Sequence, residues 1–158
     1  MSLDRPSLIS CAAIRGAVTI DIHDAKSCKR LDRETHKNLI PTVGLNAYRD
    51  VIGAFRTFPI AIGLGTGSDA SAADDVALGS ESVRLGIARR IRPRDGAIRW
   101  QSFLPETEGN GVDYTEAGLF NSVSIDNGDL FARVVFGVIA KTSSIFLTVT
   151  WEHEYLIS

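Results

Sequence analysis

From Ile60 onward the chain alternates apolar and polar residues in short runs divided by turn clusters, a pattern of strands joined by hairpins. The run that organises the rest is Val112–Asn121, V-D-Y-T-E-A-G-L-F-N, between Gly109-Asn110-Gly111 and Asp126-Asn127-Gly128. Read as a strand, it puts Tyr114, Glu116 and Gly118 on one face and Thr115, Ala117 and Leu119 on the other, with a bulge expected at Gly118. A carboxylate at Glu116, just before Ala-Gly-Leu-Phe, needs hydrogen-bonding partners if the strand is half-buried.

The other elements follow in order. Ile14–His23 alternates Val18, Ile20 and Ile22 against Thr19, Asp21 and His23, a half-buried strand. Asp24–Ser27 reads as a hairpin turn and Cys28–Asn38 as a charged edge strand. The period then changes: Leu45, Tyr48, Val51, Ile52 and Phe55 recur at helical spacing after Pro41-Thr42. This predicts one helix over about residues 42–55, N-capped by Thr42, with that stripe closing one end of the core. Gly44 and Gly53 each weaken it by about 1 kcal/mol against Ala. Phe58–Leu64 is a short apolar strand leading into a long Gly/Ala/Asp loop over Ser68–Gly79, with a helical turn expected near Asp74–Leu78. Further strands are expected at Glu81–Arg92, Ala97–Pro105, Leu130–Ile139 and Ser144–Ile157. The sum is a mainly β fold, an antiparallel β-sandwich with one α-helix, in a single domain over residues 1–158 with a short N-terminal arm at Met1–Pro6.

Composition changes this picture little. A chain of 158 residues, 44% hydrophobic and 23% charged, has enough apolar material for a core without disulfides. A net charge of −2 gives no global attraction to nucleic acid or to an acidic membrane, and no apolar run reaches the roughly 20 residues of a membrane helix. No signal peptide is expected. Cys11 and Cys28, without Cys-x-x-Cys spacing, read as free thiols or one bridge.

Four groupings could carry chemistry. Ile62–Gly67 ends in Gly63-Leu64-Gly65-Thr66-Gly67, which could cradle a nucleotide. The Gly-Lys-Ser/Thr ending of a P-loop is replaced by Gly67-Ser68-Asp69, and the chain downstream is strand, so a tight turn into a surface loop is the expectation, with no cofactor. His23, His36 and His153 lack ligand spacing and read as solvent-facing strand residues rather than a metal site. Glu106, Glu108, Asp113 and Glu116 could supply a glycosidase pair but read as turn and edge carboxylates. Arg84, Arg89, Arg90, Arg92, Arg94 and Arg99 fall on one hairpin, with Arg90, Arg92 and Arg94 expected on one strand face. Without interleaved aromatics apart from Trp100, a solvated face or an intersubunit ion-pair surface fits better than a nucleic-acid platform. The acidic loop, with Asp69, Asp74 and Asp75, is the candidate partner, within the chain or between chains.

Taken together and in order, several segments resemble structural proteins of tailed bacteriophages: the tail-collar fibre N-terminal domain and neck-baseplate proteins. The matching segments are I-A-I-G-L-G-T-G-S-D-A-S-A-A-D-D-V-A-L with E-S-V-R, Leu104–Thr107, Tyr114–Phe120, Asp129–Arg133, and Lys141 with Leu147–Trp151. Upstream, His36–Ile40 and Gly44–Asn46 also match. The resemblance spans about residues 16–151. It implies a mainly β virion component without catalytic residues, an adaptor or decoration of tail, neck or baseplate that forms a ring or trimer and docks fibres or neighbouring tail proteins. Gly63, Gly65, Thr66, Gly67, Glu116, Gly118, Leu119 and Phe120 are its structural signature positions. The chain stops where tail-fibre members continue into a shaft, which favours the adaptor role. Neither nucleic acid nor membrane is an expected partner. A carbohydrate-binding module using Trp100, Tyr114 and Trp151 is the second reading, and a small hydrolase built on the acidic cluster the third.

Overall fold

A computed structural model describes residues 12–54 and 57–157. The elements are β1 (Ala12–Asp24), β2 (Arg30–Lys37), α1 (Thr42–Ile52), β3 (Ala61–Gly65), β4 (Glu81–Gly86), β5 (Arg89–Ile91), β6 (Ala97–Leu104), β7 (Asp113–Phe120), β8 (Leu130–Ala140) and β9 (Ile145–Ile157). They form two antiparallel sheets, one in the order β2-β1-β9-β6-β5 and the other β4-β3-β7-β8. The expected sandwich is therefore present. Its main core lies between the sheets, where Val18, Ile20, Trp100, Leu147, Val149 and Trp151 of the first meet Ile62, Leu64, Ala117, Leu119, Ala132 and Val134 of the second.

The run Glu81–Arg92, expected as one strand, divides between the two sheets. Ile87 N–H still donates to the Ile60 carbonyl (2.8 Å), while Ala88 N–H donates to Gln101 (2.8 Å), so the chain changes sheet between adjacent residues. Such a corner lets one strand edge both layers of a sandwich. Thr115, not Gly118, occupies the first irregularity in β7, and a second falls between Leu119 and Phe120. The register shifts between Tyr114 and Glu116, which turns Tyr114 into the main core while Glu116 faces the opposite side of the sheet. Gly118 sits in regular register between Gly63 and Arg133.

The helix forms where periodicity placed it, but rotated and shorter. It ends at Ile52, and Pro41, not Thr42, is its N-cap, without a side-chain cap. Gly44, Ala47 and Tyr48 are buried and Val51 is partly so, whereas Leu45 is 52% exposed and Ile52 85% exposed. Phe55, like the N-terminal arm, lies outside the described residues. The reason for the rotation is Gly44. A Cβ there would collide with the Phe131 carbonyl oxygen, so the missing side chain lets the helix backbone settle against β8. The glycine that costs helix propensity thus makes the docking possible. Val43 reaches a second, smaller apolar cluster of Leu78, Phe120 and Leu130 on the outer side of the second sheet. The loop over residues 66–80 covers that side, with a turn at Ala73-Asp74 and no helical segment.

Candidate functional site

On the outer face of the second sheet, three cross-strand positions bring glycines beside charges. Gly63 pairs with Gly118, Gly65 with Glu116, and Gly118 in turn with Arg133 of β8. A Cβ at Gly65 would strike the Ser80 carbonyl, and one at Gly67 the Glu116 carboxylate. The glycines therefore clear a trough into which the 66–80 loop descends.

Glu116 fills that trough. Its side chain is 0% exposed. Oε1 accepts the backbone N–H groups of Gly67 (2.9 Å) and Ser80 (2.7 Å). Oε2 accepts Gly79 N–H (2.9 Å) and both Nε (3.1 Å) and Nη2 (2.9 Å) of Arg133. Arg133, 3% exposed, continues outward through Nη1 to the Asp75 carboxylate (2.8 Å) and Nη2 to the Asp69 carbonyl (3.1 Å). Thr115, the bulged residue, donates its hydroxyl to the Gly67 carbonyl (2.8 Å), and Thr66 N–H donates to Ser80 (2.8 Å). Both ends of the loop are thus tied to one carboxylate and its middle to one guanidinium.

Burial pushes the Glu116 carboxyl upward. The hydrogen bonds from Ser80, Gly79, Arg133 and Gly67 outweigh it and hold the group below the usual carboxylate range. Asp75 behaves alike: burial raises it, while Ala72 N–H and Arg133 lower it further. Both carboxyls are therefore ionised, and the Arg133 guanidinium between them is charged. A bound phosphate would need the amides of Gly67, Gly79 and Ser80, and these already donate to Glu116. The glycine loop is an anion nest closed by the protein's own carboxylate.

Leu119 and Phe120, the remaining signature side chains, pack in different clusters. Leu119 points into the main core. Phe120 lies under the Arg84 guanidinium, 3.6 Å from its ring centroid. Arg84 pairs with Glu81 and donates to the carbonyls of Ser122 (2.7 Å) and Asn127 (3.2 Å), so it belongs to this buried cluster and not to a basic surface.

The arginine face is also differently arranged. β5 ends at Ile91, so Arg90, Arg92 and Arg94 do not share a strand face. Arg90 lies over Phe58 and Arg94 turns to Glu152 (2.5 Å) and Glu154 (3.3 Å) of β9, with Arg99 also on Glu152. Asp75 faces Arg133 inside the chain. Arg92, Asp69 and Asp74 are exposed and form no ion pair among the described residues.

His153 is fully buried, against expectation, because the inward alternation Leu147, Val149, Trp151 continues one step further. The Tyr48 hydroxyl and Trp151 Nε1–H (3.1 Å) bond its two ring nitrogens, and burial lowers its pKa to about 3, so the ring is neutral. His36 pairs with Glu34, and His23 stacks on Phe146. Trp100, Tyr114 and Trp151 are core residues at 3% exposure or less and offer no sugar platform. The acidic cluster is dispersed, since Glu116 is consumed by the clamp while Glu108 and Asp113 lie at the surface. Cys28 is a free, exposed thiol.

No family model, curated protein or solved structure matches the chain. Among the described residues no group of three or more His, Cys, Asp or Glu could hold a metal ion, and no helix is long and apolar enough to cross a membrane.

Arg133 and Lys141 are the residues that reading the sequence for chemistry passed over. Both were visible as signals: Arg133 is the one cation within the apolar run Leu130–Ala140, and Lys141 directly follows it. A cation in a buried strand demands an anion nearby, and Glu116 posed the complementary demand.

Proposed function

We propose that the chain is a structural subunit of a tailed-phage virion, an adaptor or decoration of tail, neck or baseplate that assembles as a ring or trimer and docks fibres or neighbouring tail proteins. The observation that carries this reading is the Glu116–Arg133 clamp. Among the positions that resemble the phage family, Gly67, Glu116 and Arg133 meet in it and Gly65 and Thr66 flank it, and the chemistry of these residues is spent on holding a loop rather than on presenting a reactive group. Exposed apolar side chains at Phe58, Val76, Val123 and Ile125 suit contact with other subunits, beside the exposed charges Arg90, Arg92, Asp69 and Asp74. Exposed ion pairs contribute about 0–1 kcal/mol each, so charge sets register while apolar contacts hold the assembly.

The test is light scattering after size-exclusion chromatography, at low and high salt, on the wild type and on Arg90→Glu/Arg92→Glu, which leaves the Arg94 pairs intact. A defined oligomer weakened by the double reversal, with the monomer still folded, supports the reading. A wild type that stays monomeric at every concentration refutes the ring, and glycan binding by that monomer would favour the carbohydrate-binding alternative on some surface other than Trp100, Tyr114 and Trp151.

A further inference from the structure

Lys141 is 1% exposed at the end of β8 and makes no ion pair within 4.0 Å among the described residues. Its Nζ instead donates to Oδ1 of Asn110 (2.9 Å) and to the Thr142 carbonyl (3.1 Å). The amine and the carboxamide are held across from each other by backbone. Gly111 N–H donates to the Lys141 carbonyl (2.9 Å), and Lys141 N–H donates to Val112 (3.0 Å), extending the β7–β8 ladder past Asp113 and Ala140. Gly109 and Gly111, with φ of 64° and 78°, bend the turn so that Asn110 projects over the lysine, and Asn110 Nδ2 donates to the Glu106 carbonyl (2.8 Å). Burial lowers the Lys141 pKa, and the carboxylate of Glu106 is the charge that acts against this. A desolvated amine, an amide carbonyl and a carboxylate therefore share one turn.

We propose that Lys141 and Asn110 join in an intramolecular amide cross-link. The Lys141 ammonium gives a proton to water, and the free Nζ lone pair attacks Cγ of Asn110, forming the new C–N bond. The tetrahedral adduct collapses by breaking the bond from Cγ to Nδ2. The proton given to water and the one shed by Nζ go to that nitrogen, so ammonium departs and a secondary amide remains. No oxidant, metal or co-reactant enters the balance. Asn110 is exposed, so its carboxamide can rotate from the hydrogen-bonding to the attacking orientation, and the leaving ammonia has a path to solvent. Fixing both reactants on paired backbone supplies the proximity that an uncatalysed aminolysis lacks.

Intact-mass spectrometry of the purified full chain, fresh and after prolonged incubation, tests this. The cross-link gives a mass lower than the sequence by one ammonia and a branched proteolytic peptide joining the segments around residues 110 and 141. Asn110→Ala, an exposed change that leaves the fold in place, should carry the full mass, as should Lys141→Met. Asn110-Gly111 can also lose ammonia by closing a backbone succinimide. That product would persist in Lys141→Met, hydrolyse at alkaline pH and give no branched peptide, and finding it alone overturns the proposal. A wild type that keeps its full mass throughout overturns it as well.

Discussion

Replacing Glu116 with Ala removes one carboxylate and leaves five donors facing an empty trough: the amides of Gly67, Gly79 and Ser80, and Nε and Nη2 of Arg133. Arg133 remains buried with Asp75 as its one carboxylate partner. Removing one member of a buried ion pair costs about 3–5 kcal/mol. That is a large share of the about 5–15 kcal/mol that holds an ordinary domain together. For a chain of this size it corresponds to a loss of roughly 6–20 °C in melting temperature. Gln is no substitute, because its amide would set a donor against the three donors that now converge on Oε2. The damage should be local first, since the 66–80 loop is tied down at both ends by the missing group. Denaturant titration and limited proteolysis read the two effects: lower stability, and cleavage within residues 66–80. Arg133→Met in the Glu116→Ala background should recover part of the loss, because the deeply buried guanidinium is gone and the partly exposed Asp75 carboxylate keeps its bond from Ala72 N–H. The clamp also sets an acid limit. Glu116 and Asp75 have folded pKa values below their unfolded ones, about 4.3 and 3.9. Their contribution is therefore complete above those values and is lost as pH falls through the depressed folded range. A loss under about 1 kcal/mol for Glu116→Ala, with the loop still protease-resistant, would refute the reasoning, since only a solvated or dispensable carboxylate escapes the cost of breaking a buried pair.

Four further outcomes follow from the geometry. His153, neutral in the fold with a pKa of about 3, binds its proton on unfolding near 6.5; stability should fall by about 1.4 kcal/mol per pH unit as pH drops inside that window. Urea titrations across it should show the slope in the wild type and a flatter one in His153→Gln. Ile52→Asp should change stability by no more than about 0.5 kcal/mol at so exposed a position. Gly44→Ala should destabilise despite its gain of about 1 kcal/mol in helix propensity, because the methyl has no room against Phe131, and thermal melts of the two variants check both signs. Calorimetry with ATP should give no binding to the glycine loop, and binding abolished by Gly65→Val would show that the amides are available after all.

The layers of the fold were legible because strand alternation is a local signal. Val18 and Ile20, or Leu147, Val149 and Trp151, declare their face from sequence alone, and each is buried where alternation put it. Two kinds of fact were not local. The stripe of α1 was misassigned because Leu45 and Ile52 have the periodicity of a buried face, while the true contact surface is set by a residue with no side chain, Gly44, and by the β8 backbone it touches. Likewise Glu81–Arg92 reads as one strand, and only the partners Ile60 and Gln101, both distant in sequence, divide it between sheets.

The clamp stood between these cases. Glu116 announced a need for partners without naming them, and Arg133 sat unexplained in an apolar strand seventeen residues on. Neither charge is interpretable alone. A buried carboxylate and a buried guanidinium in consecutive strands joined by a hairpin will lie side by side if their registers agree, and here Gly118 pairs with Arg133 one step from Glu116 on the same face. The same logic applies to Lys141, whose nearest demand is met by a neutral carboxamide instead of an anion. One buried cation found a carboxylate and became a structural tie. The other found an amide, and a cation so partnered is more readily a free amine. The proposed reactivity therefore rests with Asn110 and Lys141, and rigidity with Glu116 and Arg133.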